Sequence, residues 1–443
     1  MPADKNAAPR AEVEEDRSGL LKLAVAGLAV GALAGLVGSA FHVVVDRADA
    51  LRDALVAWSH AAPWIGWLVP VALAAAATFV ARWLVRRFAP EAAGSGVQHV
   101  EAVIRGDARV TSAAVLPVKF FGGTLALGAG LALGREGPTV QMSATLGHLA
   151  GRWFSLGATD ARALLAAGAG AGLAAAFNAP LAGAVFVLEE LVRRFELRVA
   201  VATLAACSAA LAVMRALVGD RLVFSVPAID VDLFPGYLLF LLFGGLMGLV
   251  GVAYNRMIVA ALDLIERVRL APELRAAAVG GTVGLVAYFA PALVGGGETL
   301  IQGVLDGGHS VTVLLLVLGV RLVLGPLSYA PGLPGGLFAP LLVVGAIAGA
   351  LFGRSAEAMV PLLTTPIAAF AAIGMGALFV AVVRAPITGI ALVVEMTGAT
   401  TLFVPLLTAC AAAVAVPTAL GDRPIYDALR TRDAARREAS AAK

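Results

Sequence analysis

Glu136 stands in ALGREGPTVQ (residues 132–141), a carboxylate within an otherwise apolar stretch, with Gly134 before it and Gly137-Pro138 after it. A charge at the centre of a membrane span costs about 2.5–3.5 kcal/mol even on the lenient insertion scale, so such a group implies a task or a partner. Glycine and proline interrupt helices, and proline is well tolerated in a first helical turn. The spot therefore reads as the start of a short helix. A helix start presents unpaired backbone N–H groups and about half a positive charge, which bind an anion without a basic side chain. A carboxylate tethered beside such a site can fill it when ionised and leave it when protonated, so that proton binding and anion occupancy become linked. The alternative is that Glu136 pairs with Arg135 or Lys119.

The same kind of break recurs. GSGVQHVEAVIRGD at Gly94 is answered by GGGETLIQGVLDGG 201 positions later, and GREGP at Gly134 by GLFAP 202 later. GAGAGLAAAFNAPLAGAVFVLEE at Gly168 is answered by GMGALFVAVVRAPITGIALVVEM 206 later, which aligns Pro180 with Pro386, Gly183 with Gly389 and Glu189 with Glu395. One glycine-rich match would mean little in a membrane protein. Three in the same order indicate a duplication, with a tail at 1–18, halves at 19–215 and 216–420, and a C-terminal segment at 421–443. Repeated halves with helices broken at matching places point to a transporter-type binding site near the bilayer midplane. If GSG, GREGP and GLFAP point at one place, they form an anion cradle.

The elements that would hold this cradle are membrane helices. The 443 residues are 60% hydrophobic and 14% charged, with mean hydropathy +0.89, whereas soluble domains have about 45–50% apolar and about 25% charged residues. An all-α polytopic bundle follows, since a β-barrel would show short alternating segments. Leu20–Val45, Trp64–Val85, Val199–Val218, Phe234–Leu262 and Ala276–Val294 have the roughly 20 apolar residues of a span. Between 115 and 191 and between 311 and 419 the pattern fragments, with breaks at 134–138, 157–162, 178–180, 331–336, 353–356, 384–386 and 397–401. The charged N-terminal segment reads as a loop. Arginines at both ends of the membrane region put both termini in the cytoplasm. The lack of a targeting segment or regulatory domain favours a bacterial inner membrane.

Other chemistry finds little support. A net charge of +3 does not argue for nucleic acid, and Cys207 and Cys410 form no disulfide or metal-ligand pattern. HExxH, GxSxG and GxxxxGK[ST] are absent, and the five histidines make no nucleophile–base arrangement, so neither an enzyme nor a cofactor or metal is expected. Lys119, Arg321 and Arg384 lie in apolar stretches, where they either raise the potential for anions or pair with buried groups. Glu190, close to Arg193 and Arg194, reads on its own as a solvated helix-end charge, and His99 as an ordinary surface-loop histidine or a pH sensor.

GSG at 94–96, GREGPTVQ at 134–141, FNAPLAGAVFVLEE at 177–190, GGLFAP at 335–340 and RPIY at 423–426 together resemble the CLC family of chloride channels and proton/chloride antiporters. The resemblance implies a homodimer in which each subunit is a pair of inverted-topology repeats of tilted and discontinuous helices with its own anion path. It implies that Ser95, Leu337, Phe338 and Tyr426 bind chloride and that Glu136 is the gating glutamate that also carries the proton. It implies that Glu190 is the internal proton glutamate typical of antiporters, and that Glu189 and Glu395 share a packing or hydrogen-bonding role. Val97-Gln98-His99 replaces the usual Ile-Pro-Glu, a change that could loosen the turn aiming Ser95. Proton/chloride exchange is the expected function; a passive chloride channel gated by Glu136, with Glu190 idle, is the alternative. An intramembrane enzyme using buried carboxylates is a third, less supported reading.

Overall fold

The computed structural model describes residues 7–62, 64–226, 231, 236–360 and 365–441. The first half comprises α1 (Ala7–Ser59), α2 (Leu68–Phe88), α3 (Val97–Arg105), α4 (Val115–Gly128), α5 (Glu136–Trp153), α6 (Ala158–Phe177), α7 (Pro180–Phe186) and α8 (Leu197–Val218). The second comprises α9 (Gly236–Arg267), α10 (Pro272–Phe289), α11 (Glu298–Leu305), α12 (Val311–Tyr329), α13 (Phe338–Met359), α14 (Ile367–Val383), α15 (Pro386–Thr397) and α16 (Phe403–Ala419). A last helix, α17 (Ile425–Ala441), follows. Among the described residues there is no strand, only one isolated antiparallel bridge between Gly134 and Gly336.

The halves match element for element and are inverted. Arg86 in the last turn of α2 pairs at 2.5 Å with Glu273 in the first turn of its counterpart α10. One helix therefore ends at the face where the other begins. The packing pattern is duplicated as well: α1 lies on α8 as α9 lies on α16, and α5 lies on α6 as α13 lies on α14.

Helices stop where the chemistry of the chain requires it. α6 and α14 end at Asn178 and Arg384, both left-handed with φ 53° and 71°, and each is followed by Ala-Pro. Proline disfavours helical geometry in the residue before it and is well suited to open the next helix. Asparagine accepts the left-handed region readily; the strained Arg384 is held by Asp422 at 3.3 Å.

Three features differ from the reading of the sequence. α13 runs unbroken to Met359 through 353–356, because Arg354 reaches off the helix flank to the carbonyl of His309 at 2.7 Å instead of ending the turn. With α13, α12 and α16 are also long and apolar enough to cross a membrane, although their region was expected to fragment. α1 begins at Ala7, inside the segment expected as a charged loop, since AEVEEDR is rich in helix formers. The start of the span expected at Phe234 lies outside the described residues, as do residues 1–6.

Close helix crossings depend on glycine. A Cβ on Gly31 of α1 would sit 2.1 Å from the carbonyl oxygen of Ala206 on α8, and one on Gly244 of α9 would sit 2.1 Å from that of Ala409 on α16. Both obstacles are backbone, so the helices themselves would have to separate. Gly31→Ala is therefore expected to destabilise the protein by about 1–3 kcal/mol, the usual cost of overpacking. Gly319→Ala, where a Cβ meets nothing within 4 Å, should be neutral or slightly stabilising. Thermal unfolding of the two variants in detergent compares them directly; equal midpoints would contradict the close-packing account.

Candidate anion and proton site

The starts of α5 and α13 are bound to each other through their backbones. Gly134 N–H donates to the Gly336 carbonyl at 2.9 Å, and Gly336 N–H donates back to Gly134 at 2.7 Å. The adjoining Gly335 N–H donates to the Gly94 carbonyl at 3.2 Å, which brings in the GSG turn. All three sequence-expected breaks therefore converge. Space is so short that a Cβ on Gly137 would lie 2.7 Å from Ser95 Oγ, and one on Gly336 would lie 2.5 Å from Glu136 Oε1.

Glu136 is buried at the first position of α5, and its Oε1 accepts the Ala339 amide at 3.1 Å; the Phe338 amide also faces it. The carboxylate thus sits on the N-terminus of α13, where an anion is favoured. It does not pair with Lys119 or Arg135. Arg135 instead bridges Asp46 at 3.3 Å and Glu298 at 2.7 Å.

The buried Lys119 ammonium donates to the carbonyls of Gly94 at 2.6 Å and Ser95 at 3.1 Å. Its counterpart Arg321, 202 positions on, donates to Gly295 at 2.7 Å and Val294 at 3.2 Å, the matching turn of the other half. Each of these two cations holds a glycine turn by its carbonyls, and of Lys119, Arg321 and Arg384 only Arg384 has a carboxylate partner among the described residues.

Ser95 and Tyr426 are fully buried and their hydroxyls lie near one another, but neither oxygen meets hydrogen-bond geometry with any group. The ring of Phe338 lies 6.1 Å from Tyr426 and 4.8 Å from Phe379, and Phe177 and Phe186 complete an apolar wall. Leu337, also buried, precedes α13 directly. Every expected chloride residue therefore lies in this one region.

Glu190 lies apart from it, buried in a π-helical turn (Val187–Leu191) that prolongs α7. It is not the solvated charge read from its neighbours. Its carboxylate takes Arg193 Nη2 at 3.2 Å, and Arg193 also reaches Asp427, next to Tyr426, at 3.1 Å. Glu101, fully buried on α3, receives Arg105 at 2.6 Å and Arg193 at 3.4 Å. The i,i+4 spacing of Glu101 and Arg105 was the only sequence signal for it. Glu189 and Glu395 do share a role: Glu189 accepts the amides of Ile387 and Thr388 at 2.9 and 2.7 Å, and Glu395 those of Leu181 and Ala182 at 3.0 and 2.7 Å. Each caps the helix start of the other half.

Sequence reasoning also missed Tyr329, whose hydroxyl accepts the Ser95 N–H at 3.3 Å and meets the side chain of Gln98. Gln98, in the usual proline position, thus has its side chain beside the Tyr329 hydroxyl. His99 is a half-buried residue of α3, not of a surface loop, because α3 begins directly after Gly96.

The family model described as voltage gated chloride channel matches residues 77–418. The chain is 42% identical over 410 residues to the H(+)/Cl(−) exchange transporter ClcA of Vibrio parahaemolyticus, covering 91% of this chain and 88% of that protein. It is 39% identical over 435 residues to the ClcA exchange transporter of Cronobacter sakazakii, covering 96% and 93%. Among solved structures, a slow cyanobacterial Cl−/H+ antiporter superposes with a TM-score of 0.90 at 34% identity, over 94% of this chain and 98% of that one. With its duplicated, inverted halves meeting at the glycine turns, the chain belongs to the voltage-gated chloride channel, or CLC, family of integral membrane proteins.

Proposed function

We propose that the protein is a secondary active transporter exchanging chloride for protons. Chloride is held by Ser95, Tyr426 and the backbone amides at Leu337 and Phe338. Glu136 gates the anion path and carries the proton, and Glu190 is the internal proton glutamate. The observation that carries this reading is the Glu136 carboxylate resting on the amide of Ala339. A carboxylate and chloride are both anions, and the Phe338 amide that faces Glu136 is also a proposed chloride donor, so one can replace the other there. Protonating Glu136 removes the charge that these amides attract and frees them for chloride. On this reading the path to Glu190 runs by Tyr426, Asp427 and Arg193, whose contacts join the two regions. The names of the 42%- and 34%-identical relatives support exchange over passive conduction. We further propose a homodimer in a bacterial inner membrane with both termini cytoplasmic, in keeping with the arginines of α17 and of the last turn of α2.

The first experiment is proton movement in proteoliposomes under a chloride gradient, with a potassium ionophore clamping the voltage. Uphill proton flux is the expected result; chloride flux without it would make the protein a channel. Glu136→Ala should reduce coupled proton flux to the background of protein-free liposomes while chloride flux continues. A Glu136→Ala variant that still pumps protons would remove Glu136 from its assigned role. Glu190→Gln should likewise uncouple the two fluxes with chloride flux preserved, and undiminished coupling would return Glu190 to a structural part in the Arg193 cluster.

A further inference from the structure

A cavity of about 270 Å³ opens at the face where α2 ends and α10 begins, away from Glu136. It is several times the roughly 30 Å³ share of one liquid water. Three arginines line it, Arg82 of α2, Arg275 of α10 and Arg436 of α17, against one acidic residue, Glu266 of α9. Glu266 is already bound by both Arg436 and Arg432. Neither Arg82 nor Arg275 forms an ion pair among the described residues. Each spends one nitrogen on a backbone carbonyl, Arg82 on Gly332 at 3.4 Å and Arg275 on Ile265 at 2.9 Å, and the Nε of each is buried without a partner. A guanidinium has five N–H donors, so both retain capacity for a ligand.

We propose that this cavity binds a phosphoryl group. Several guanidinium forks converging on one small space suit the oxygens of a phosphate, which takes two parallel N–H bonds from each. Chloride, a single sphere, would use little of that geometry. Basic pockets between membrane helices are a recurrent seat for phospholipid headgroups, and the apolar side of the cavity, formed by Leu262, Ile265 and Pro331, would receive the glycerol end of such a lipid. A free phosphate would use the same arginines. The site also touches Ala93 and Gly332, on the segments leading into Ser95 and α13. This inference is independent of whether the protein exchanges or conducts chloride.

The test uses the full-length protein in phosphatidylcholine nanodiscs at fixed chloride and ionic strength, read by thermal unfolding. Two probes are added separately: phosphatidylglycerol replacing part of the lipid, and millimolar sodium phosphate. At least one should raise the midpoint by about 3 °C through binding to the folded state. A response to phosphatidylglycerol alone identifies a headgroup, and a response to sodium phosphate identifies a free ion. Arg275→Gln and Arg436→Gln should lose at least half of the shift. Arg87→Gln, which removes an exposed charge of the same face outside the cavity, should keep it. Since Arg275 also ties α10 to α9, Arg436→Gln is the deciding variant, its side chain being half exposed. The proposal is overturned if neither probe shifts the wild type, if Arg436→Gln keeps the full shift, or if Arg87→Gln loses as much as the cavity variants.

Discussion

The reciprocal pair of hydrogen bonds between Gly134 and Gly336 joins equivalent positions of the two halves, so the local two-fold axis of the duplication passes between them. The candidate site is arranged around that contact. Two helix starts meet backbone to backbone, so closely that a Cβ on Gly336 would lie 2.8 Å from the Gly137 nitrogen. Their N–H groups, left without intrahelical partners, then share one small volume. The Glu189 and Glu395 caps repeat the relation on the same pairing of halves, each carboxylate closing a helix start across the interface. In a membrane such open ends are tolerated only where protein covers them, and here each half covers the other's.

Basic side chains hold the carbonyl side of these turns. Lys119 and Arg321 do so, each bound to two carbonyls of its own half's glycine turn. Buried cations without carboxylates would ordinarily be costly, but convergent carbonyl dipoles serve as their partners. This also separates their role from that of a ligand: their donors face the turn, and the turn in its turn fixes Ser95. Tyr329 braces the same turn from its amide side. The usual proline position is taken here by Gln98, whose side chain lies beside the Tyr329 hydroxyl.

Much of this was legible in the chain because breaks and repeats leave local marks. The glycine and proline positions at 134–138, 178–180, 331–336 and 384–386 located helix ends that the structure retains. The break expected at 353–356 failed for a physical reason: Arg354 next to Gly353 resembles a helix end, but a long side chain can leave the helix flank and find a carbonyl elsewhere. The buried state of Glu190 was hidden for a related reason. Two arginines follow it in sequence, and only the fold turns one of them inward, to be shared among Glu190, Glu101 and Asp427. Tyr329 lay in an apolar run like any core aromatic. Its role depends on a contact with residue 95 that no local pattern encodes.

Symmetry explains the architecture, and its violation explains the chemistry. The equivalent of Glu136 in the second half is Phe338, and the equivalent of Ser95 is Gly296. Had both halves kept the carboxylate, two like charges would face each other across the Gly134–Gly336 bridge, and ionising both would be strongly opposed. Phe338 instead packs against Phe379 and Tyr426 and makes its side of the site apolar, while its backbone amide still faces Glu136. One half thus supplies donors from its backbone, and the other supplies the titratable group that competes for them. On the proposed function, a single carboxylate on a shared cradle is the least arrangement in which the charge on one side chain decides whether an external anion can enter.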